Sequence, residues 1–109
     1  MKLIFTILLL IATLLALASN VRDVFIPFTN ENQKLTNNIV EAVVRDELGY
    51  VWVGTNNGLN KLDGYTTINY VNNPSDPHSL SSNFIRTLFI DSDGDLWIGT
   101  IGGGLNFYD

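Results

Sequence analysis

Three aspartates alternate with other residues between positions 91 and 95, and carboxylates at this spacing could bind a calcium ion. An EF-hand loop, however, needs glycine at its sixth position and a bidentate glutamate at its twelfth. Counted from Asp91, Gly94 is fourth and Gly102 is twelfth. The aligned run that starts at Asp46 has lost the alternation altogether. The sequence therefore predicts hairpin turns at both places, with Asp46 and Asp91 bonding free backbone amides, and no metal site.

Trp52 and Trp97 occupy the same place in two similar stretches of sequence, and an exposed indole ring could stack on the apolar face of a sugar. A ligand platform rarely recurs in every unit of a repeat protein, whereas a residue needed for packing must recur. We therefore interpret both tryptophans as core residues that lie between neighbouring units.

Glycines and amides that follow each tryptophan could form other kinds of site. Residues 99–104 are rich in glycine, but they lack the Gly-Lys-Ser/Thr of a phosphate-binding loop and open no helix. A one-residue insertion makes this connection differ between the two stretches. Because loops vary more than strands and often carry binding residues, it is a candidate place for a function specific to one unit. Asn56 and Asn57, and the polar loop over residues 72–82, offer groups that could bind sugar hydroxyls, although such residues are common in surface turns. We keep Asn56 and Asn57 as candidate ligand-binding residues.

No catalytic group is predicted. A glycosidase needs two carboxyl groups roughly 5 to 10 Å apart across a cleft. The acidic residues of the two stretches instead fall in turns between predicted strands: Asp46, Glu47, Asp63, Asp91, Asp93 and Asp95. The sequence has no cysteine, and its one histidine does not join a serine, aspartate or metal-ligand pattern. We expect a non-catalytic chain that uses no cofactor.

These residues belong to a sequence that repeats itself after forty-five positions. Residues 35–55 and 80–100 align without a gap, and seven of the twenty-one positions are identical, where average composition gives about one or two. After one inserted residue, Gly-Leu-Asn at 58–60 matches Gly-Leu-Asn at 104–106. A period in the forties with a tryptophan and glycine signature predicts the blades of a β-propeller. The residues that we expect to define the repeat are Asp46, Gly49, Trp52, Gly54 and Gly58, and then Asp91, Gly94, Trp97, Gly99 and Gly104.

Short apolar runs separated by turn residues predict four antiparallel strands in the first unit, over residues 39–45, 50–55, 59–62 and 66–71. The second unit repeats the first three of them. Val24 to Phe28, which contains a proline, predicts an edge or terminal strand. The predicted fold class is thus all-β, an incomplete ring of four-stranded propeller blades after an N-terminal signal helix. The expected limits are 1–18 for a signal peptide or signal anchor, 19–34 for a closing strand and loop, 35–79 for the first blade and 80–109 for a truncated second blade.

The N-terminal segment is typical of export. Met1 and Lys2 precede sixteen uncharged residues that end in Ala-Leu-Ala, the small-residue pattern of signal peptidase sites. The run is shorter than the roughly twenty residues of a membrane-spanning helix, which favours a cleaved signal peptide and an extracytoplasmic chain. Residues 19–109 carry five basic and eleven acidic side chains, a net charge of −6. We therefore expect no direct binding to nucleic acid.

The pattern Asp-x-x-Gly-x-x-Trp-Val/Ile-Gly-Thr, followed by Gly-Leu-Asn and an aspartate, resembles the two-component regulator propeller repeat. It occurs over residues 46–63 and again over 91–109. This resemblance implies the N-terminal part of the periplasmic sensor region of a hybrid two-component system of the kind found in gut Bacteroidetes. It further implies more blades, a closing role for Val24 to Phe28, an oligosaccharide ligand, a homodimer, and a histidine kinase region that feeds a phosphorelay. His78 lies in a Pro-His-Ser loop and is not a phosphoacceptor candidate.

Two other classes of protein remain as alternatives. One is a secreted propeller enzyme that acts on polysaccharide, and the other is a structural or interaction propeller that is not catalytic and binds no small ligand. The sequence is compatible with more than one ligand, number of blades and oligomeric state.

Overall fold

The structure, a computed structural model, describes residues 1–19 and 22–109. Helix α1 (Lys2–Ser19) covers the apolar N-terminal run. The run is rich in leucine and alanine, which are among the strongest helix formers, so a helix is the expected conformation. Within the described ranges, no helix combines the length and the hydropathy needed to cross a membrane.

Seven strands form two antiparallel sheets in the described part of the chain. The first sheet has the order β1-β2-β3-β4 and the second the order β5-β6-β7, so every strand pairs with its neighbour in sequence. This arrangement confirms the predicted fold class of antiparallel propeller blades, with strand ends that differ from the prediction by one residue at most. The strands are β1 (Val40–Arg45), β2 (Val51–Thr55), β3 (Gly58–Leu62), β4 (Thr67–Tyr70), β5 (Ile85–Ile90), β6 (Leu96–Thr100) and β7 (Leu105–Tyr108).

The segment from Val24 to Phe28 differs from the sequence prediction, because it has no strand conformation. A strand needs a hydrogen-bonding neighbour, and none of the described strands pairs with this segment. Phe28 instead borders an apolar cleft of about 450 Å³ on the outer face of the first sheet, beside Val43 and Val53. The segment is therefore irregular beside the first sheet, and its role in closing a ring, which would need a strand of the last blade as its partner, stays a prediction.

The hydrophobic core lies between the two sheets. Trp52 and Leu59 come from the first sheet, and Ile85, Leu96 and Ile98 come from the second. Each of these side chains is at most 2 % exposed. Because side chains alternate between the faces of a strand, this core uses one face of each sheet and leaves the other outward. The first strands of the two sheets, β1 and β5, pack against each other, so the sheets diverge from these inner strands as propeller blades do.

The antiparallel order places the connections at two opposite ends of the sheets. The turns at residues 46–50, 63–66 and 91–95 share one end, which we name the turn face. The connections at residues 56–57 and 101–104 and the intersheet segment 71–84 share the other end, which we name the loop face. The turn face thus carries the aspartate motifs, whereas the loop face carries the segments in which the two units differ.

Candidate functional site

The same aspartate–tryptophan hydrogen bond closes the first turn of each unit. In the first, Asp46 accepts hydrogen bonds from the Tyr50 amide through Oδ1 and from the Trp52 indole through Oδ2, both at 2.9 Å. In the second, Asp91 accepts from the Asp95 amide at 2.9 Å and from the Trp97 indole at 2.8 Å. Glycines 49 and 94 take φ values of +92° and +85° in these turns, which residues with a side chain rarely adopt. Both aspartates therefore stabilise turns, as expected from the sequence.

The turn at residues 91–95 brings three carboxylates together, and that of Asp91 is already committed to hydrogen bonds. Asp91, Asp93 and Asp95 each have an oxygen within 4.8 Å of the others. Both oxygens of Asp91 already accept hydrogen bonds from the turn and from the indole of Trp97. The indole hydrogen bond and then the turn amides lower the pKa of Asp91 below its usual 3.8, whereas burial and the neighbouring carboxylates raise that of Asp95. This arrangement is what a tightly bonded hairpin turn produces.

The two tryptophans occupy equivalent places with different surroundings. Trp52 is 1 % exposed. Its ring lies 5.9 Å from that of Tyr70 in the same sheet and 5.1 Å from that of Tyr108 in the second sheet. Trp97 lies on the outer face of the second sheet, half-buried, with the ring of Phe107 at 4.8 Å. Trp52 is thus a core residue between sheets and cannot serve as a sugar platform.

A second fixed contact, which we name the asparagine clasp, joins the third strand of each unit to the segment that enters the unit. Asn60 accepts from the Thr36 amide at 2.9 Å, and its own amide donates to Thr36 Oγ1 and to the Val53 carbonyl, both at 3.0 Å. In the second unit, Asn106 Oδ1 accepts from the Ser81 amide at 3.2 Å, and the Asn106 side-chain amide donates to Ser81 Oγ at 2.7 Å. Sequence reasoning assigned no role to these asparagines. Their recurrence in Gly-Leu-Asn, with Thr or Ser after Leu35 or Leu80, was the available signal.

Asn60 tests the strength of the clasp, because it is completely buried whereas Asn106 is only partly buried. Asn60→Ala removes a hydrogen-bond partner from the partly buried Thr36 amide and from the Val53 carbonyl, which we expect to lower the free energy of unfolding by about 2 kcal/mol. Asn106→Ala is the matched control, since water can replace its bonds, and should cost less than about 1 kcal/mol. Denaturant unfolding of the complete gene product measures both. Equal losses would contradict the proposed difference.

The candidate ligand residues Asn56 and Asn57 lie on the loop face, where they form the two-residue turn between β2 and β3. Asn57 is exposed, and its side-chain amide donates a hydrogen bond of 3.5 Å to the Thr36 carbonyl. Asn56 is half-buried, and its backbone amide donates to the Ile39 carbonyl at 3.3 Å. The equivalent connection in the second unit contains isoleucine and glycines, so these amide side chains belong to one unit alone. His78 lies in the intersheet segment, on the rim of a cleft of about 390 Å³ between the outer strands.

Two sheets that diverge from their first strands, with the same clasps in each, define part of a β-propeller. A sequence profile described as two component regulator propeller matches residues 34–57 and 79–102, one match in each sheet. Each sheet therefore contains a segment that matches the two-component regulator propeller repeat, in agreement with the resemblance seen in the sequence.

Three relatives show where such repeats are found. The chain is 41 % identical over 64 residues to histidine kinase P4 of Formosa agariphila, which covers 59 % of this chain and 5 % of that protein. The extracellular domain of a hybrid two-component system of B. thetaiotaomicron is 34 % identical and superposes with a TM-score of 0.63, over 68 % of this chain and 10 % of that one. The extracellular domain of a one-component system of the same organism is 25 % identical and superposes with a TM-score of 0.59. This match covers 63 % of this chain and 10 % of that one.

This chain therefore spans only about a tenth or less of the length of its relatives. Its repeats match extracellular sensor domains of such systems, which agrees with the prediction that the chain is not an enzyme. The fixed residues of the repeat serve turns, clasps and packing. Residues that differ between the two units are consequently the better candidates for contacts with a ligand.

Proposed function

We propose that this chain is part of the extracytoplasmic sensor region of a two-component system, and that residues 1–18 direct its export. The observation that carries the proposal is the pair of in-register propeller repeats, each matched to the same family. It is supported by relatives that are a histidine kinase and the extracellular domain of a hybrid two-component system. Further blades, a kinase region and a sensor that works as a homodimer are parts of this proposal.

The proposed ligand is an oligosaccharide that binds at the loop face. The turn face repeats its motif in both units, so its side chains are committed to structure. The loop face carries Asn56 and Asn57 in one unit and a glycine-rich connection in the other. Amide groups both donate and accept hydrogen bonds, which suits the hydroxyl groups of a sugar. Ligand binding would favour one packing of two sensor copies over another and so alter the activity of the kinase.

The experiment is a titration of the complete gene product that contains these 109 residues with pools of short oligosaccharides. A ligand that binds only the folded state raises the melting temperature, so we expect one pool to raise it progressively as its concentration increases. The same pool should change ATP-dependent autophosphorylation. Mass spectrometry of the pool afterwards should find every chain at its original length.

Other outcomes distinguish the competing functions. Shortened oligosaccharides would show a propeller enzyme instead of a sensor. No change in melting temperature with any pool, together with capture of a protein partner, would favour an interaction propeller. Autophosphorylation that responds to another class of small molecule would retain the sensor and reject the carbohydrate.

A further inference from the structure

A β-bulge occurs at the same place in the first strand of each unit. Val40 pairs with Thr55 and Ala42 with Gly54, so Glu41 between them has no cross-strand partner. In the second unit Ile85 pairs with Thr100 and Thr87 with Gly99, which leaves Arg86 as the extra residue. Bulges of this kind redirect a side chain away from the regular alternation of the sheet and are frequent beside binding sites.

Both bulges lie where the inner strands reach the loop face. β1 and β5 are the strands that pack against each other, and Glu41 and Arg86 are near their loop-face ends. Arg86 Nη1 is 3.8 Å from Glu41 Oε2. The two side chains are 34 % exposed for Glu41 and 64 % for Arg86. The pair therefore occupies the inner rim of the surface on which the units differ.

The charges at these positions are not needed to build the blades. The bulge itself is the same in both units although glutamate stands in one and arginine in the other. One contact at 3.8 Å between partly exposed groups contributes less than about 1 kcal/mol to stability. By contrast, the buried contacts of the repeat use the same or closely similar residues in both units. The same backbone bulge thus presents a different side chain in each of the two units.

We propose that Glu41 and Arg86 are ligand-contact residues, and that they bind neighbouring hydroxyl groups of a neutral oligosaccharide. This inference rests on the proposed carbohydrate-sensing function. A carboxylate accepts hydrogen bonds from hydroxyls, and a guanidinium donates in a fixed fork to their oxygens. A neutral ligand is favoured because Glu41 balances the charge of Arg86, and because residues 19–109 carry a net charge of −6 that repels polyanions.

The test compares charge-neutralised variants of the complete gene product by isothermal titration calorimetry. The probes are a neutral pool of glucan, galactan, mannan and xylan oligosaccharides and an acidic pool of oligogalacturonates. Glu41→Gln and Arg86→Gln each remove a charge-assisted hydrogen bond to the ligand. We therefore expect each variant to bind the neutral pool with a Kd at least about tenfold weaker. Arg45→Gln and Glu47→Gln are matched controls, since both residues are exposed at the turn-face end of the first sheet. They should leave Kd within about twofold.

Each outcome decides between the inference and the function on which it rests. The inference is supported if all variants melt at the temperature of the unmodified protein and only Glu41→Gln and Arg86→Gln bind the neutral pool at least about tenfold more weakly. Unchanged binding in these two variants would place the carbohydrate site elsewhere and leave the sensor function standing. Tighter binding of the acidic pool would overturn the choice of a neutral ligand. No binding of either pool by the unmodified protein would overturn both carbohydrate sensing and this site.

Discussion

Gly54→Ala should lower the free energy of unfolding by about 3 kcal/mol, the upper end of the usual cost of overpacking a core. Gly54 is buried on the face of the first sheet that packs on the second. A Cβ atom there would overlap Ile85 Cγ2 and lie 3.0 Å from Ile85 Cβ. Ile85 is itself 1 % exposed, and its backbone pairs with Thr100 beside the bulge, so neither strand has room to withdraw. Chemical denaturation of the complete gene product measures the loss.

Two further variants distinguish a blade-to-blade clash from a general intolerance of strand substitutions. Gly99 is the equivalent glycine, but its added Cβ would meet Thr87 of the same sheet, whose side chain can change rotamer. Gly99→Ala should therefore cost less than Gly54→Ala. The double variant Gly54→Ala/Ile85→Ala should cost less than the sum of its single changes, because removing the isoleucine side chain relieves the clash. Additive losses would show that Gly54 is not constrained by Ile85.

The predictable part of this fold is the part that recurs in the chain. The tryptophans, the turn glycines and the turn aspartates could be identified because both units need the same residue at the same place. The repeat period then indicated four-stranded blades, and the strand bounds followed from turn residues such as Asp46 and Asp91. Asn60 was harder to predict, because a polar residue within a strand is ordinarily assigned to the solvent face. Its burial depends on Thr36, twenty-four positions earlier in the chain.

The candidate recognition residues could not be predicted in the same way. Glu41 and Arg86 align as one substituted pair in the sequence and look like ordinary exposed strand residues. Their bulges are set by the pairing register of β1 with β2 and of β5 with β6, which alternation alone does not reveal. The irregular conformation of Val24 to Phe28 has a similar cause. Apolar composition favours a strand there, but a strand forms only where a neighbouring edge accepts it.

Both outer faces of the two-sheet unit remain apolar. On the second sheet, Phe89, Leu105 and Phe107 are 62 %, 64 % and 50 % exposed. Val43 is 61 % exposed on the outer face of the first sheet. The first sheet shows what covers such a face, since its own tryptophan face is buried by the second sheet. Propellers usually contain about four to eight blades, and apolar sheet faces without a partner promote aggregation.

A polypeptide of residues 19–109 alone should therefore fail to form a stable monomer. Its interior is the single layer between two sheets, and domains of about 60 residues are already marginal with a complete core. We expect aggregates in analytical ultracentrifugation and no cooperative thermal transition by circular dichroism. The control is the same polypeptide with Phe89, Leu105 and Phe107 replaced by serine, which should be more soluble and still lack a cooperative transition, because solubility does not supply the missing core. A sharp, reversible transition from a monomer of the unsubstituted polypeptide would show that two blades suffice, and that its exposed faces require no further blade for stability.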